Sequence, residues 1–385
     1  MGLTSTVANH SSPQHVRDGN GLWLGQIEPA GLVNSFLAHL PAGFQSLSIA
    51  SERQAAPGFV AHFDLLTTLD DAFLPVAKVV RGWPAVELLV KRPAVFLGTT
   101  VSEYCLVPDH ADYAPLVADC LRELQRQRAD LLIVKDLPVD SPLLSTNENA
   151  AAARLSSQCQ QAGFQLLSGL ALAYVAIDFA SREEYLQRLS RSRRKDIRRK
   201  LRTVSSLSIE ELETGDRAFH DPSFVEQLYQ LYMNVYQQSK FHFDLLTLEF
   251  FKSVLQDRQS GGVIVLYRQQ QKLIGFNLLY VFNGNLVDKY VGFAYPDAPD
   301  ANLYFVSWFY NLDYALRHRL KHYIAGWTDP EVKAALGAKF TFTQHAVYLA
   351  NPILRFIFNK TSRYFECDKS WAEKSGLALA GDERR

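Results

Sequence analysis

The amino-acid sequence predicts an α+β fold with two similar domains, each built on a mixed, mostly antiparallel sheet flanked by helices. In the second half, two helical segments precede three β-rich runs, and a helix, a strand, a short helix and a last strand follow. The first half repeats the end of that order, which indicates a duplicated domain. The chain has 385 residues, 48% of them apolar, which is enough for two packed cores.

The chain divides into three predicted parts. Residues 1–20 predict a tail without fixed structure. Residues 21–178 predict the first domain, which we interpret as degenerate, and residues 179–385 predict a second domain that carries the active cleft. The halves share one detail, because Gly163 ends the last helix of the first half as Gly337 ends that of the second.

In the first half, the runs 95–107 and 130–137 have strand-like composition. Apolar residues at helical spacing predict helices over 113–127 and 149–163. The apolar stretch 166–177 is too short to span a bilayer, so we interpret it as two strands around a Ser-Gly turn.

The second half begins with a predicted helix over 181–202, where Ser181 can cap the N-terminus and the two following glutamates suit the helix dipole. Asn283-Gly284 is a strong hairpin signal within the β-rich region. The other predicted elements are a strand over 207–212, helices over 224–239 and 246–256, strands over 262–268, 272–282 and 285–295, a helix over 303–320, a strand over 321–327, a helix over 330–336 and a strand over 339–350.

Positive charge is concentrated in residues 188–202, RLSRSRRKDIRRKLR, although the whole chain has 40 basic and 40 acidic residues. The neutral net charge argues against a protein coated in positive potential, so any contact with phosphate falls to this run. One interpretation is a solvated helix face whose long side chains cover apolar surface. The other is contact with the phosphates of a donor or of RNA, for which Arg194, Arg198 and Arg202 repeat at every fourth position.

The sequence lacks the motifs that usually identify several other classes of enzyme. The sequence has no GxSxG, Walker, GxGxxG or HExxH motif, which argues against hydrolase, ATPase, Rossmann oxidoreductase and zincin functions. The four cysteines form no CxxC pair and lie near no His at zinc-ligand spacing, so we expect reduced thiols and no metal. We also expect a cytoplasmic protein with no transmembrane segment.

Four stretches of the second half carry a resemblance to a known family. They are SRSRRKDIRRKLR (190–202), VYQQSKFHFDLLTLEFF (235–251), KLIGFNLLYVFNGNLVDKYVGF (272–293) and the stretch 302–352, which starts NLYFVSWFYNLDYALRHRL. Together they resemble the FemAB-related branch of the GNAT acyltransferase superfamily. The resemblance implies two GNAT-like domains, a cleft at or between them, and transfer of an acyl or aminoacyl group to an amine.

The resemblance implies acyl-CoA as the co-substrate, with a charged tRNA as the alternative donor and a peptide or small-molecule amine as the acceptor. A further alternative is a non-catalytic module that binds RNA or another anion. Ordinary GNAT enzymes hold the pyrophosphate of coenzyme A with a Gly-rich loop at a helix N-terminus. Here that loop reads FAYPDAPDANLYF and has no Gly. Its amides could still bind an anion, but Asp297 and Asp300 would repel one.

Three residues are candidates for the chemistry. Asp288 and Lys289 are adjacent on a predicted strand and point to opposite faces, and Asp288 could accept a proton from the attacking amine. His242 lies in a polar loop beside aromatic residues and could act in acid–base chemistry or contact the substrate. Tyr304 could donate a proton to the leaving group. The alternatives are an edge-strand charge or a structural ion pair for Asp288 and a packing role for Tyr304.

Four residues are candidates for binding the donor. Arg194 and Arg198 lie on the cationic run. Asn302 begins the helix after the loop, where it either caps the helix or contacts the donor. The resemblance places Lys333 at the cleft, and a solvated helix lysine is the alternative.

Overall fold

The structure is a computed structural model that describes residues 23–49, 55–64, 91–239 and 242–361. The predicted tail over residues 1–20 lies outside the described residues, as does Cys367. The other three cysteines, Cys105, Cys120 and Cys159, are buried free thiols.

Strands of both halves join one eleven-stranded sheet within the described ranges. In chain order they are β1 (Gln45–Ile49), β2 (Ala56–Asp64), β3 (Lys91–Leu97), β4 (Leu131–Val139), β5 (Gln165–Ala176), β6 (Leu207–Glu213), β7 (Gly262–Gln269), β8 (Lys272–Phe282), β9 (Asn285–Phe293), β10 (His322–Gly326) and β11 (Lys339–Leu349).

Helices cover both faces of this sheet. They are α1 (Ala30–Ala38), α2 (Ala114–Arg126), α3 (Thr146–Gln161), α4 (Arg182–Gln187), α5 (Arg191–Lys200), α6 (Pro222–Gln238), α7 (Leu248–Gln256), α8 (Asp297–Asp300), α9 (Leu303–Arg317), α10 (Pro330–Leu336) and α11 (Pro352–Thr361). The predicted α+β class, with mostly antiparallel sheet and flanking helices, is confirmed.

The two halves exchange their last strands. The order of the sheet is β1-β2-β3-β4-β11-β5-β10-β9-β8-β7-β6, so β11 of the second half lies between two first-half strands. Conversely, β5 of the first half pairs with β10 of the second half. A parallel pair lies on each side of this centre, β3 with β4 and β9 with β10. The arrangement has the symmetry of a duplication. The boundary at residue 178 stays a prediction, because the sheet continues across it.

One hydrophobic core belongs to both halves. It packs Leu32 and Phe36 of α1 against Phe250 and Val254 of α7. A second core lies under α4, α5 and α9, and a third lies under α2 and α3. Burial of apolar surface therefore holds the halves together as well as each sheet to its helices.

The hairpins of the meander follow the sequence signals. Asn283 and Gly284 both have positive φ, 49° and 77°, as a two-residue turn between twisted strands requires. Gln270 and Gln271 have φ of 48° and 69° at the preceding turn. The predicted strands, hairpins and helices of this region are confirmed to within a few residues at their ends.

The predicted single helix over 181–202 is wrong, because the segment forms α4 and α5 with a break between them. Ser190 starts the second helix by accepting a hydrogen bond from the backbone N–H of Arg193 at 3.4 Å. The Arg194 guanidinium donates to the carbonyl of Leu189 at 2.6 Å and satisfies the end of the first helix. The cationic run is therefore one short helix and its flanks.

Two predictions in the first half also need correction. Strand β5 runs unbroken through Ser168-Gly169, because β11 pairs along it on one side. Gly169 is required by close approach and not by a turn, since a Cβ there would lie 2.3 Å from Thr343 Oγ1. The predicted strand over 95–107 ends at Leu97, after which the chain leaves the sheet.

Candidate functional site

A gap opens between β9 and β10 on the second half of the sheet. The two strands pair in parallel only over Asn285–Val287 and His322–Ile324. Strand β9 continues to Phe293, so among the described residues its edge from Asp288 onward has no partner strand on that side. Side chains from β9, β10, α9 and α10 converge at this gap, which makes it the candidate active site.

Asp288 lies at the point where the strands diverge, and its carboxylate accepts hydrogen bonds from three side chains. Asn277 Nδ2 donates to both oxygens at 2.9 and 3.0 Å. Asn311 Nδ2 donates to Oδ2 at 2.9 Å, and the Tyr323 hydroxyl donates to the same oxygen at 3.1 Å. Burial nevertheless outweighs these donors and raises the pKa of Asp288 to about 6.

Lys333 reaches the same gap from α10 and is buried, which contradicts the alternative of a solvated lysine. Burial lowers the pKa of Lys333 to about 8, against the opposing effect of Asp288. The two groups form no direct ion pair among the described contacts. Gly326 lies between the two groups and has a φ of 80°, in the left-handed region that favours glycine.

Tyr304 begins α9 beside this pair. Its hydroxyl is buried and has no hydrogen-bond partner among the described residues. Burial and the nearby carboxylates Asp329 and Asp288 raise the pKa of Tyr304, so the phenol keeps its proton at neutral pH. Asn302 has the left-handed φ of 51° and makes no side-chain cap, so the plain capping role is not observed. The structure therefore brings together Asp288, Lys333 and Tyr304, while their chemical roles stay predictions.

His242 does not join this group in the described contacts. It is exposed and packs edge-on against Tyr236, with ring centroids 4.9 Å apart. Its predicted chemical role therefore stays without a described connection to Asp288.

The two arginines chosen for donor binding are engaged within the protein. Arg194 caps α4 through the carbonyls of Gln187 and Leu189, and Arg198 pairs with Glu183 at 2.8 Å. Asp196 pairs with Arg199 and Lys200. The exposed cations of this segment without an ion pair among the described residues are Arg191, Arg193, Lys195 and Arg202.

The cationic helix α5 lies beside the loop that precedes α9. Thr203 Oγ1 donates to the carbonyl of Ala301 at 2.7 Å, and Lys200 Nζ lies 3.6 Å from the centre of the Phe305 ring. Within that loop, the backbone N–H groups of Ala298, Asp300, Ala301 and Asn302 already donate to loop carbonyls. These four loop amides are therefore not free to bind an anion.

A second buried cluster lies on the opposite face of β9. Lys289 Nζ donates to Glu103 Oε1 at 2.6 Å and to Glu28 Oε1 at 3.4 Å. Burial raises the pKa of Glu28 to about 7 against the opposing effect of Lys289, and the neighbouring Glu103 carboxylate adds to the rise. The opposite orientations of Asp288 and Lys289 are as predicted, although the partners of Lys289 come from the first half.

The first half has a polar cluster at the equivalent gap between β3 and β4. Lys135 and Asp136 form an ion pair, and the backbone N–H of Asp136 donates to His345 Nδ1 at 3.0 Å. Asp136 has a φ of 54°, in the left-handed region, as Gly326 has near the gap of the second half with a φ of 80°. Burial raises the pKa of Asp244, which lies nearby under the influence of Lys135 and Lys289. These groups were not recognised from the sequence.

The partners of Asp288 were also missed. Asn277 is a polar residue within an otherwise apolar strand, and Asn311 and Tyr323 lie in strongly apolar segments. A lone amide in such a run is a usable signal, because buried polar groups need partners. Nothing in the local sequence says that these three residues meet one carboxylate.

The arrangement offers a proton acceptor, a cation and a protonated hydroxyl around one gap, which suits transfer between a nucleophile and a carbonyl carbon. Among the described residues, no group of three or more His, Cys, Asp or Glu side chains is placed to hold a metal ion. In the same part of the chain, no helix combines the length and apolar character needed to cross a bilayer.

Comparison with known proteins identifies one family. A family model described as FemAB-like, peptidoglycan biosynthesis/recognition, matches residues 123–374. This confirms the resemblance found in the sequence. No curated protein matches the chain.

Solved structures share the fold at low sequence identity. The C-terminal DUF2156 domain of a protein from Agrobacterium fabrum, named as a lysylphosphatidylglycerol synthetase, is 14% identical with a TM-score of 0.53 and covers 86% of this chain and 90% of its own. L-PGS from Bacillus licheniformis is 10% identical with a TM-score of 0.51, and the match covers 88% of this chain and 96% of that one. FemX is 12% identical with a TM-score of 0.47 and coverages of 82% and 91%.

Proposed function

The chain belongs to the FemAB-like family, and we propose that it is a transferase that moves an aminoacyl group from a charged tRNA to an amine. The observation that carries the proposal is the meeting of Asp288, Lys333 and Tyr304 at the gap between β9 and β10. These residues supply the groups that such a transfer requires, and the gap leaves an open strand edge for an extended substrate.

The proposed reaction forms one bond and breaks one. The neutral acceptor amine attacks the carbonyl carbon of the aminoacyl ester, and the Asp288 carboxylate takes the proton that the new amide nitrogen must lose. The ester C–O bond then breaks, and the ribose oxygen leaves with a proton from the Tyr304 hydroxyl. No covalent enzyme intermediate is needed.

Lys333 is proposed to stabilise the transition state. A negative charge develops on the carbonyl oxygen during attack, and an ammonium group in a buried site stabilises such a charge more strongly than water does. Lys333 is buried, and the described contacts include no ion pair between it and Asp288, although the Asp288 and Asp329 carboxylates both act on its charge.

Two observations favour a charged tRNA over the competing donor, acyl-CoA. Four backbone amides of the loop before α9 already donate to loop carbonyls, and the loop carries Asp300 as well as Asp297, which pairs with Lys272. The exposed cations Arg191, Arg193 and Arg202 lie on α5 or directly after it, on the segment that contacts this loop through Thr203, and they suit a polyanionic backbone.

The acceptor is proposed to be a peptide or small-molecule amine. The family description names peptidoglycan biosynthesis or recognition, and peptidoglycan peptides carry free amines. The alternative of a non-catalytic RNA-binding module predicts tRNA binding without turnover.

A transfer assay tests the proposal. Bulk tRNA charged with labelled amino acids, or a set of acyl-CoA thioesters, is incubated with the protein and a soluble amine-bearing muropeptide. We expect label to move from tRNA to the peptide with the unchanged protein and not with Asp288→Asn. Thiol release from acyl-CoA without transfer from tRNA would overturn the choice of donor, and tRNA binding without transfer of any group would overturn the transferase assignment.

The cations are tested separately. The triple variant Arg191→Ala, Arg193→Ala, Arg202→Ala should weaken tRNA binding about 10-fold or more at low salt and flatten its salt dependence. Arg122→Ala, an exposed arginine on α2 of the first half, is the matched control and should bind tRNA normally.

A further inference from the structure

Strand β9 contains a bulge directly at the candidate site. Tyr290 lies opposite Leu278 and Asp288 lies opposite Leu279, which leaves Lys289 without a partner on β8. A bulge re-aims the side chains around it. Asp288 and Lys289 face opposite sides of the sheet, as in a regular strand, with Asp288 at Asn311 and Tyr323, and the extra residue shifts the register of β9 directly after Asp288.

The bulged residue is anchored by the first half. The Lys289 side chain is only 6% exposed, and its ammonium group donates to Glu103 at 2.6 Å and Glu28 at 3.4 Å. Glu28 Oε1 also accepts the backbone N–H of Glu103 at 2.6 Å, which holds the two acidic segments together. The anchor thus joins the loops before α1 and after β3 to the strand that carries Asp288.

A buried ammonium group without an acceptor is costly, so the ion pair constrains where Lys289 can lie. Lys289 directly follows Asp288, so a displaced Lys289 would move the backbone that carries the Asp288 carboxylate. We propose that the Glu103–Lys289 ion pair is a positioning device, which holds β9 in place at the bulge and thereby keeps the Asp288 carboxylate against its hydrogen-bond donors at the gap.

The proposal takes the role of Asp288 from the proposed function, but its structural content does not depend on that function. A purely structural ion pair would stabilise the fold and leave the surroundings of Asp288 unchanged when weakened. A positioning pair would change the contacts of Asp288 itself.

Two variants of one residue separate these cases. Glu103→Gln and Glu103→Met both remove one negative charge and both leave Glu28 beside Lys289, but only Gln keeps the acceptor that residue 103 offers at the shorter distance. The other titratable groups that face Asp288 (Lys333, Tyr304, Tyr323 and Tyr267) are the same in both. Loss of a negative charge alone lowers the pKa of a neighbouring carboxyl, whereas loss of hydrogen-bond donors raises it.

The measurement is a carbon-13 NMR titration of labelled aspartate carboxyls, with the Asp288 signal assigned by its absence in Asp288→Asn. We expect the Asp288 midpoint in Glu103→Met to rise by about one pH unit, as loss of one charge-assisted hydrogen bond implies. In Glu103→Gln we expect it to stay or fall slightly. The control is Lys272→Met on the neighbouring strand β8, which breaks the ion pair of Lys272 with Asp297 and should leave the Asp288 midpoint unchanged.

Equal and downward shifts in the two Glu103 variants would overturn the proposal, because charge alone would then explain them. If Glu103→Met does not fold, Glu103→Thr replaces it, since its side chain is too short to reach Lys289. Once a transfer assay exists, Glu103→Met should lower kcat at least 10-fold with little change in KM for the donor. A shifted midpoint in a protein without transfer activity would support the positioning device and reject the proposed function.

Discussion

Asp288 and Lys333 show how one gap can hold two groups in their reactive states at neutral pH. Burial raises the pKa of the carboxyl to about 6 and lowers the pKa of the ammonium to about 8. Between these values Asp288 has lost its proton while Lys333 still carries one. Buried groups with pKa values shifted this far are typical of functional sites.

The rate of the proposed transfer should therefore have a bell-shaped pH dependence with limbs near pH 6 and pH 8. Asp288→Asn should reduce kcat by about 10²- to 10⁴-fold, as loss of a general base does, and Lys333→Met should remove the alkaline limb. Asp297→Asn, at an exposed ion pair, should keep the profile of the unchanged protein. A pH profile that stays the same in Asp288→Asn and in Lys333→Met would contradict the proposed roles of both residues.

The same carboxyl should be visible in stability without any substrate. Its folded pKa lies above the unfolded value of 3.8, so between about pH 4 and pH 6 the folded state holds a proton that the unfolded chain has released. The free energy of unfolding should fall as pH rises through this window, by roughly 3 kcal/mol from Asp288 alone. Urea unfolding of the unchanged protein and of Asp288→Asn at several pH values checks this, because the other carboxyl groups contribute equally to both proteins. If the free energies of unfolding of the two proteins change with pH in parallel, the raised pKa of Asp288 is contradicted.

Sequence reasoning found the central residues of the site but not their surroundings. Asp288 was recognisable as a carboxylate in an apolar strand, and Lys333 through the family resemblance. The hydrogen-bond donors to Asp288 are Asn277, Asn311 and Tyr323. They lie on three different elements, and the sheet order decides that these elements meet. Such contacts between distant segments are not encoded in a local pattern.

At the scale of single elements, local sequence signals predicted the structure correctly where tertiary contacts favour the same conformation. The two-residue turns of the meander were predictable because positive φ favours Asn and Gly directly. The segment 181–202 and strand β5 were not, because capping by Ser190 and Arg194 and pairing with β11 decide their limits. In both cases tertiary contacts overrode propensity.

Gly169 gives a test of this point. Because a Cβ would lie 2.3 Å from Thr343 Oγ1, Gly169→Ala should destabilise the protein by about 1–3 kcal/mol through overpacking. Thr343→Ala removes the obstructing hydroxyl, so the double variant should recover much of that loss in urea unfolding. Additive losses would mean that the close approach is not what requires glycine.

At the scale of the molecule, the exchange of last strands was beyond reach of the sequence. The pairing of β4 with β11 joins segments from opposite halves, and no spacing or composition signal marks such a partner. The duplicated order of elements was visible, whereas the interlocking of the two copies was not.

Neither half should therefore fold alone. A chain of residues 1–178 lacks β11, so the facing edges of β4 and β5 would be open and prone to association. Expressed separately, the two parts should aggregate or unfold without cooperativity, while co-expression should give a soluble complex that elutes with the intact protein. Independent cooperative unfolding of both parts would contradict an obligatory exchange.

During synthesis on the ribosome, the two strands β5 and β11 become available at different times. β5 ends at Ala176 and β11 begins at Lys339, and at roughly 5–20 residues per second the second emerges about 10–30 s after the first. During that interval the nascent first half has two sheet edges that only a later strand can cover. Open strand edges are prone to association with other chains. We therefore expect the yield of folded protein to depend on a chaperone that binds exposed β-strand edges during translation.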